Sequence, residues 1–532
     1  MKSREYYSLI LITLFVLVLQ ACGGGGGGGA VVMPTGAATV SVTDAPGDFD
    51  HVYITVKDIW FHASDVADPR AGDWLRYPLT TPVTIDLLSL ANGNMQALWS
   101  NIQLPIGTYR QIRIFLEPTY DSTLPAGTYH NYVVVGGNTY PLFVPDFDHG
   151  ISLIGAFNIT FGGTLRLAID FDAGEDIVEF HEGLDYVLKP RLAYFDLDKA
   201  GAIKGQISSS GSLTTPDFVI KAEKLVTDGT STYHAIQRWT MPDASGNFVL
   251  YPISAATKTY DIVVRGLGHQ TVIIKGVPVT RGTTPSTATD LGLITMMTAT
   301  NPDYTVAGAI ASPTGAWVQF YQTLPNAGEY PYEIRFRHFN PLYGGFKQTF
   351  ALSADPVHVG TYISSGLVSA LTTTDPVEGA GNFTAVAGAI LYSRSTSTLV
   401  SAATTTVSFP TPLTVVSPYK GNSVTGSIVM SNPGKMNAKM DRGLLFAVNG
   451  GMIVDAIRVD SQMTGTGSSA YTLSNLAGGS TGTPLPGAFY GIDAVGWLSS
   501  APTGTYRSIG IPTIVDLRTG NDTADIAMLP LW

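Results

Sequence analysis

Cysteine is almost absent from this 532-residue chain, which has only Cys22. A single thiol excludes an intrachain disulfide, a CxxC zinc site, thioether-linked haem and an iron–sulfur cluster, each of which needs more thiols. Charge is also scarce. Charged residues make up 13% of the chain against 45% hydrophobic ones, the formal charge is −11, and no basic block occurs. Nucleic acid is therefore not an expected partner, because phosphate binding needs a positive footprint. Sustained helical periodicity is missing, and Ala91 to Asn101 is the one stretch that reads as a short helix. Catalytic signatures are lacking as well. His181-Glu182 continues as Gly-Leu-Asp185 without a zincin's second histidine, and no G-x-S-x-G elbow or P-loop occurs. A non-catalytic protein is expected.

The N-terminus is informative. Lys2 and Arg4 precede the apolar run Leu9 to Leu19, the order of a secretory signal. The run is too short to span a bilayer, which takes about 20 residues of helix. It ends in Leu19-Gln20-Ala21-Cys22, which resembles the lipobox of bacterial lipoproteins. That resemblance implies a signal peptide over 1–21, acylation of Cys22 and attachment to a membrane. A tether follows over 22–38, in which the glycines 23–29 cannot pack and reach roughly 15 Å as a flexible coil. Gly23, standing where aspartate would retain an enterobacterial lipoprotein at the inner membrane, implies the outer membrane on either its periplasmic or its cell-surface side. An exported protein with an incidental cysteine is the alternative.

From Thr39 onward the dominant period is two, punctuated by Gly, Pro, Asn and Asp, as in half-buried strands. Val52, Ile54 and Val56 share one face; Ile112, Ile114 and Leu116 share another. Leu165, Leu167, Ile169 and Phe171 line a third, with Arg166, Asp170 and Asp172 projecting oppositely. Gly-Thr-Tyr opens apolar runs at 107–109, 127–129, 360–362 and 504–506. A weak repeat places Gly205, Gly308 and Gly426 in Ile203 to Ile207, Val306 to Ile310 and Val424 to Ile428, each able to open a domain. The fold expected is all-β: tandem antiparallel β-sandwich modules at 39–199, 200–299, 300–420 and 421–532.

Two stretches resemble known families. Residues from about 39 to 196 resemble the domain of unknown function 4382, on Val42-Thr-Asp-Ala-Pro46, Val52 to Val56, Ile85-Asp-Leu-Leu88, Leu104 to Tyr109, Asp170-Phe-Asp-Ala173 and Tyr186 to Pro190. Residues from about 200 to 297 resemble the carboxypeptidase regulatory-like, transthyretin-like sandwich. The matching pieces are Gly205-Gln-Ile207, the turn and strand Asp243-Ala-Ser-Gly-Asn-Phe248, and Tyr260 to Val264. That resemblance implies a carbohydrate-binding-like fold, and a fold does not by itself confer a function. Neither resemblance supplies a catalytic residue.

The remaining chemistry is acidic and aromatic. Asp44, Asp48 and Asp50 crowd one loop, Asp146 and Asp148 form a pair, and Asp170 and Asp172 precede Glu175 and Asp176. Hard oxygen ligands converging on a point suit calcium, so Asp44, Asp48 and Asp50, or Asp170 and Asp172, are the candidate ligands; a solvated strand face is the alternative. Trp60, Trp74, Trp99, Trp239, Trp317 and Trp497 are candidates for stacking on sugar rings, although large aromatics dominate cores. Arg335 to Phe339, preceded by Tyr330 and Tyr332, reads as a binding face or as one wall of a sandwich. The functional expectation is a cell-envelope binding or scaffold lipoprotein whose partners are polysaccharide or envelope protein. The alternative is a glycan-processing or other hydrolase with an unrecognised carboxylate site.

Overall fold

A computed structural model describes residues 33–530 apart from Pro46, Asp48, Ser122, Ala126, 180–185, Arg191, 210–217, Thr230, 283–286, 311–314, 339–344, 431–439, 464–467 and 498–505. The signal segment, Cys22 and the tether as far as residue 32, Asp48 and His181-Glu182 lie outside the described residues; the last part of the expected tether, 35–38, is not tether but the start of the strand Thr35–Ala45.

The architecture is almost entirely β, as the two-residue period implies. Described helix is confined to short pieces such as Leu87–Leu90, Ala173–Asp176 and Asp460–Met463. Val52, Ile54 and Val56 are fully buried, as are Ile112 and Ile114, Leu167 and Ile169. Ala91 to Asn101 is not a helix. Asn92 and Gly93 take positive φ of 56° and 83°, and Gln96–Pro105 is a strand antiparallel to Thr35–Ala45. Asn-Gly is turn chemistry and interrupts a helix before it can gain hydrogen bonds.

Four units repeat one arrangement: the opening strand lies between an antiparallel neighbour and a parallel strand from the unit's end. Thr35–Ala45 lies between Gln96–Pro105 and Thr164–Asp172. Ala200–Ser208 lies between Asn247–Ser254 and Thr289–Thr295, and Tyr304–Ala309 between Gly345–Leu352 and Thr406–Ser408. Lys420–Met430 lies between Ser468–Gly478 and Ile526–Pro530. The repeated glycine has a steric cause at two of its positions. A Cβ on Gly426 would collide with the Ala524 carbonyl, and one on Gly205 would come within 2.9 Å of Phe248 and 3.2 Å of the Gly292 carbonyl.

The units are not strung out singly. In an eleven-stranded sheet, the second unit's strands are flanked at both edges by strands of the third. Val272–Pro278 pairs in parallel with Val357–Ser364, and Ser231–Thr240 meets Tyr332–His338 at His234 and Tyr332. Covering both edges removes open hydrogen-bonding groups that would recruit other chains. The third and fourth units share one hydrophobic core, which runs from Tyr304, Phe320 and Phe383 to Leu445, Ile492 and Ile526.

The first unit closes on the last. Phe143 and Val187 pack in a single cluster with Leu444, Phe446, Val448, Val495 and Trp497. Nearby, Ser152 N donates to the Gly450 carbonyl at 2.8 Å. Gly491 lies so close to the Asp146 carboxyl that a Cβ there would overlap it. The first unit also reaches the third: the fully buried Lys189 donates through Nζ to the Gly315 carbonyl at 2.9 Å and lies 3.1 Å from His338 Nδ1. The chain is one body in which the first unit touches each of the other three.

Candidate functional site

The acidic residues at the end of the first unit's parallel pair are buried against the second unit, and one of them, Asp170, meets a cation that the chain supplies itself. The register Thr43↔Asp170 and Ala45↔Asp172 brings Asp44, Asp170 and Asp172 to one end of the sheet. Arg238, buried on Ser231–Thr240 of the second unit, donates to Asp170 Oδ1, to Thr43 Oγ1 at 3.2 Å and to the Asp44 carbonyl at 2.8 Å. Trp239 Nε1 donates to Asp172 Oδ2 at 2.7 Å, and Asp172 Oδ1 accepts from Glu175 N at 3.1 Å, capping the Ala173–Asp176 turn. Glu175 in turn accepts from Arg337 Nη1 of the third unit at 3.1 Å.

Asp44 Oδ1 accepts from Ala173 N at 3.0 Å, whereas Oδ2 is buried with no hydrogen-bond partner. Burial pushes the Asp170 carboxyl up. It pushes Asp44 and Asp172 well above the ordinary range, with neighbouring carboxylates adding to the shift in both. Of the carboxylates that the sequence offers to calcium, Asp170 is bonded by the Arg238 guanidinium, whereas those of Asp44 and Asp172 meet Ala173 N and Trp239 Nε1. Asp50 stands apart, accepting from Gly137 N at 2.9 Å. Among the described residues, no three His, Cys, Asp or Glu side chains are grouped so as to hold a metal ion. Local sequence gives no signal for Arg238, because its partners belong to another unit. The strand Tyr332–His338 is likewise a wall: Tyr332, Ile334 and Phe336 are buried, and Arg335 donates to the Ala351 carbonyl at 3.1 Å.

Among the tryptophans, Trp74, Trp99 and Trp497 are buried, and Trp60, Trp239 and Trp317 are half-buried. Trp60 borders a pocket of 360 Å³ on the first unit, lined by Lys57, Asp58, Trp60, Leu79, Phe115 and Asp148, with Pro78 and Pro82 at its rim. A β-bulge makes it. The register of His51–His62 slips between Val56 and Asp58 against both neighbouring strands, so the buried series 52, 54, 56 resumes at Ile59 and Phe61. Lys57, Asp58 and Trp60 are thereby all left on the outer side. Pro78 is tolerated because Leu75–Asp86 is an edge strand.

The indole is fixed in place. Trp60 Nε1 donates to Asp58 Oδ2 at 2.6 Å, the Phe115 ring centroid lies 4.1 Å away, and the Arg76 guanidinium sits 3.9 Å from the Trp60 ring. Asp58 Oδ1 accepts from Ile59 N at 2.8 Å, so both carboxylate oxygens are engaged. Burial raises the Asp58 carboxyl, and its hydrogen bonds oppose the shift. An apolar wall with a few placed polar groups can hold a small hydroxyl-rich ligand.

Residues 35–190 match the model of a family described as a domain of unknown function, DUF4382, in agreement with the resemblance read over 39–196. No curated protein matches the sequence. Solved structures resembling the chain include the Bacillus anthracis TIE protein, at 9% identity over 99% of this chain and 78% of that one, with a TM-score of 0.14. Two B repeat units of the collagen binding protein of Staphylococcus aureus match at 8% identity over 93% and 99% of the two chains, with a TM-score of 0.14. The full-length major pilin SpaD from Corynebacterium diphtheriae matches at 9% identity over 63% and 99%, with a TM-score of 0.13. At these scores the likenesses carry no argument about function.

Proposed function

We propose that this chain is a non-catalytic lipoprotein of the bacterial outer membrane that acts as a binding and scaffold protein, with carbohydrate the ligand class of the Trp60 pocket. The observation that carries the binding reading is the use made of Asp58. A general acid or nucleophile needs an oxygen free to face substrate; both Asp58 oxygens are occupied in fixing Trp60 and its own strand, which leaves Asp148 as the pocket's other carboxylate, short of the pair that glycoside hydrolysis uses. The pocket then offers a rigid aromatic and proline-lined wall for sugar C–H faces, with Lys57 and Asp148 at hand for hydroxyls. The carbohydrate-binding-like sandwich read over 200–299 is consistent with this ligand class and remains part of the proposal.

Trp60→Ala is expected to weaken polysaccharide binding about five- to thirtyfold on a glycan array while leaving the melting curve cooperative, since loss of one stacked aromatic removes about 1–2 kcal/mol of contact. Release of reducing ends by the wild-type protein would overturn the non-catalytic reading. Membrane attachment rests on Leu19 to Cys22. Cys22→Ala is expected to abolish labelling of the protein by a radioactive fatty acid, and retained labelling would remove the lipoprotein reading.

A further inference from the structure

One end of the first unit carries Met33, the first of the described residues. Three of its loops meet there: Ile106 N donates to the Pro34 carbonyl at 3.0 Å, Gly162 N to the Thr35 carbonyl at 3.1 Å, and Ala37 N to the Gly163 carbonyl at 2.8 Å. The strand pairs Thr35↔Pro105 and Gly107↔Ile159 hold the same loops in register from behind. Each loop exposes one large apolar side chain: Met33 is 64% exposed, Ile106 45% and Phe161 78%. The loop segments 33–36, 105–108 and 160–163 contain no charged residue. An exposed apolar group on a hydrogen-bonded, uncharged rim is the form of an interaction site.

The chain itself indicates the occupant. Met33 is where the N-terminal segment enters this end, and only ten residues separate it from Cys22. Fully extended, that linker reaches about 35–40 Å, and as a glycine-rich coil less than half of that. An acyl group at Cys22 therefore keeps these three side chains within reach of the bilayer on every excursion, at an effective concentration of roughly millimolar. Side chains too weak to bind a membrane alone then suffice to set orientation.

We propose that Met33, Ile106 and Phe161 form a lipid-docking tip that seats the first unit on the bilayer surface; this rests on the lipid anchor proposed above. Docking would point the strand Gly107–Leu116 away from the membrane, with Gly107 at the lipid and Leu116 about 30 Å off, and Thr123 follows Leu116 on the chain. The protein would stand on the membrane instead of swinging on its tether.

The test uses purified acylated protein reconstituted on vesicles of phosphatidylethanolamine and phosphatidylglycerol. Acylation blocks Cys22, so Phe161→Cys and Thr123→Cys each supply the only free thiol for a polarity-sensitive fluorophore. The expected result is that the protein pellets with the vesicles, the label at 161 is quenched by spin-labelled lipid, and the label at 123 is not. Adding Met33→Ser and Ile106→Ser to the Phe161→Cys protein is expected to lower the ratio of docked to undocked label about tenfold, the loss of roughly 1.4 kcal/mol of apolar contact. Protein that pellets while the label at 161 behaves as in water overturns the docking tip and leaves the anchor standing. Protein that stays in the supernatant overturns the anchor and the tip together.

Discussion

Arg238→Ala is expected to lower the unfolding free energy by about 3–5 kcal/mol, the cost of leaving a buried charge without its partner. The guanidinium serves Asp170 Oδ1, Thr43 Oγ1 and the Asp44 carbonyl from a strand of another unit; Thr43 keeps its bond to the Asn94 carbonyl at 2.9 Å, so the loss falls chiefly on the buried Asp170 carboxylate. Asp170→Asn in the Arg238→Ala background is expected to recover part of the loss, because the amide carries no charge needing compensation. Urea midpoints of the two single variants and the double variant give the coupling directly. A change below about 1 kcal/mol for Arg238→Ala would mean that the group is solvated and that the first and second units are not docked as described.

Stability is expected to fall as pH rises from about 4 to about 8, through a carboxyl at the junction of the first and fourth units. Asp493 is buried on Phe489–Trp497 and accepts from Asp146 N at 3.1 Å and Ala494 N at 2.7 Å. Burial pushes its carboxyl up to about 8, and the charges of Asp146 and Asp148 add to the shift. Burial raises Asp146 in the same direction, opposed by His149, whose Nδ1 lies 2.5 Å from Oδ1, and by Arg113. A carboxyl whose folded value lies above its unfolded value near 3.9 keeps a proton that the unfolded chain has released. Its contribution is therefore intact below about pH 4 and is lost progressively toward pH 8.

Asp493→Asn removes that titration but keeps only one acceptor for the two N–H donors, so the difference in slope is diagnostic and the absolute stability is not. Between pH 4 and pH 8 the wild type is expected to lose a few kcal/mol more than the variant, with about 1.4 kcal/mol for each step of one in pH as the upper limit for a single proton. Parallel curves would show that Asp493 is in contact with water.

The strands are readable because each core face obeys the two-residue period: Val52, Ile54 and Val56 on one strand, and Leu167, Ile169 and Phe171 on another. What lies on the opposite face is not. Asp170 and Asp172 alternate with apolar residues just as a solvated face would, and only Arg238 and Trp239, brought from the second unit, make that face interior. Arg113 is the same case: it looks exposed by alternation, yet is buried and donates to the His149 carbonyl at 2.6 Å. The bulge beside Lys57 that builds the Trp60 pocket marks the sequence only as a change of phase, the polar pair Lys57-Asp58 between the apolar series 52, 54, 56 and 59, 61. The repeated glycines are visible as a spacing, but the cause at two of them is not, since it is the approach of the Ala524 carbonyl to Gly426 and of the Phe248 ring to Gly205.

The first unit packs on the last, and a disulfide placed between them tests that closure. Val66 lies in the first unit and Gly487 in the fourth, at opposite ends of the sequence. A Cβ on Gly487 would stand 3.7 Å from that of Val66, within the range of about 3.5–4.5 Å that a disulfide requires. The double variant Val66→Cys, Gly487→Cys, made in a Cys22→Ala chain that has no other thiol, is expected to oxidise within one molecule, although the φ of 76° at position 487 costs the new cysteine roughly 1–2 kcal/mol of backbone strain; Gly487→Cys alone, which should remain folded, controls for that strain. The product would run faster than the reduced chain on a non-reducing gel, at a yield independent of protein concentration. Two thiols that stay reduced, or that form only intermolecular bonds, would contradict the closed arrangement and return the protein to an open string of sandwiches.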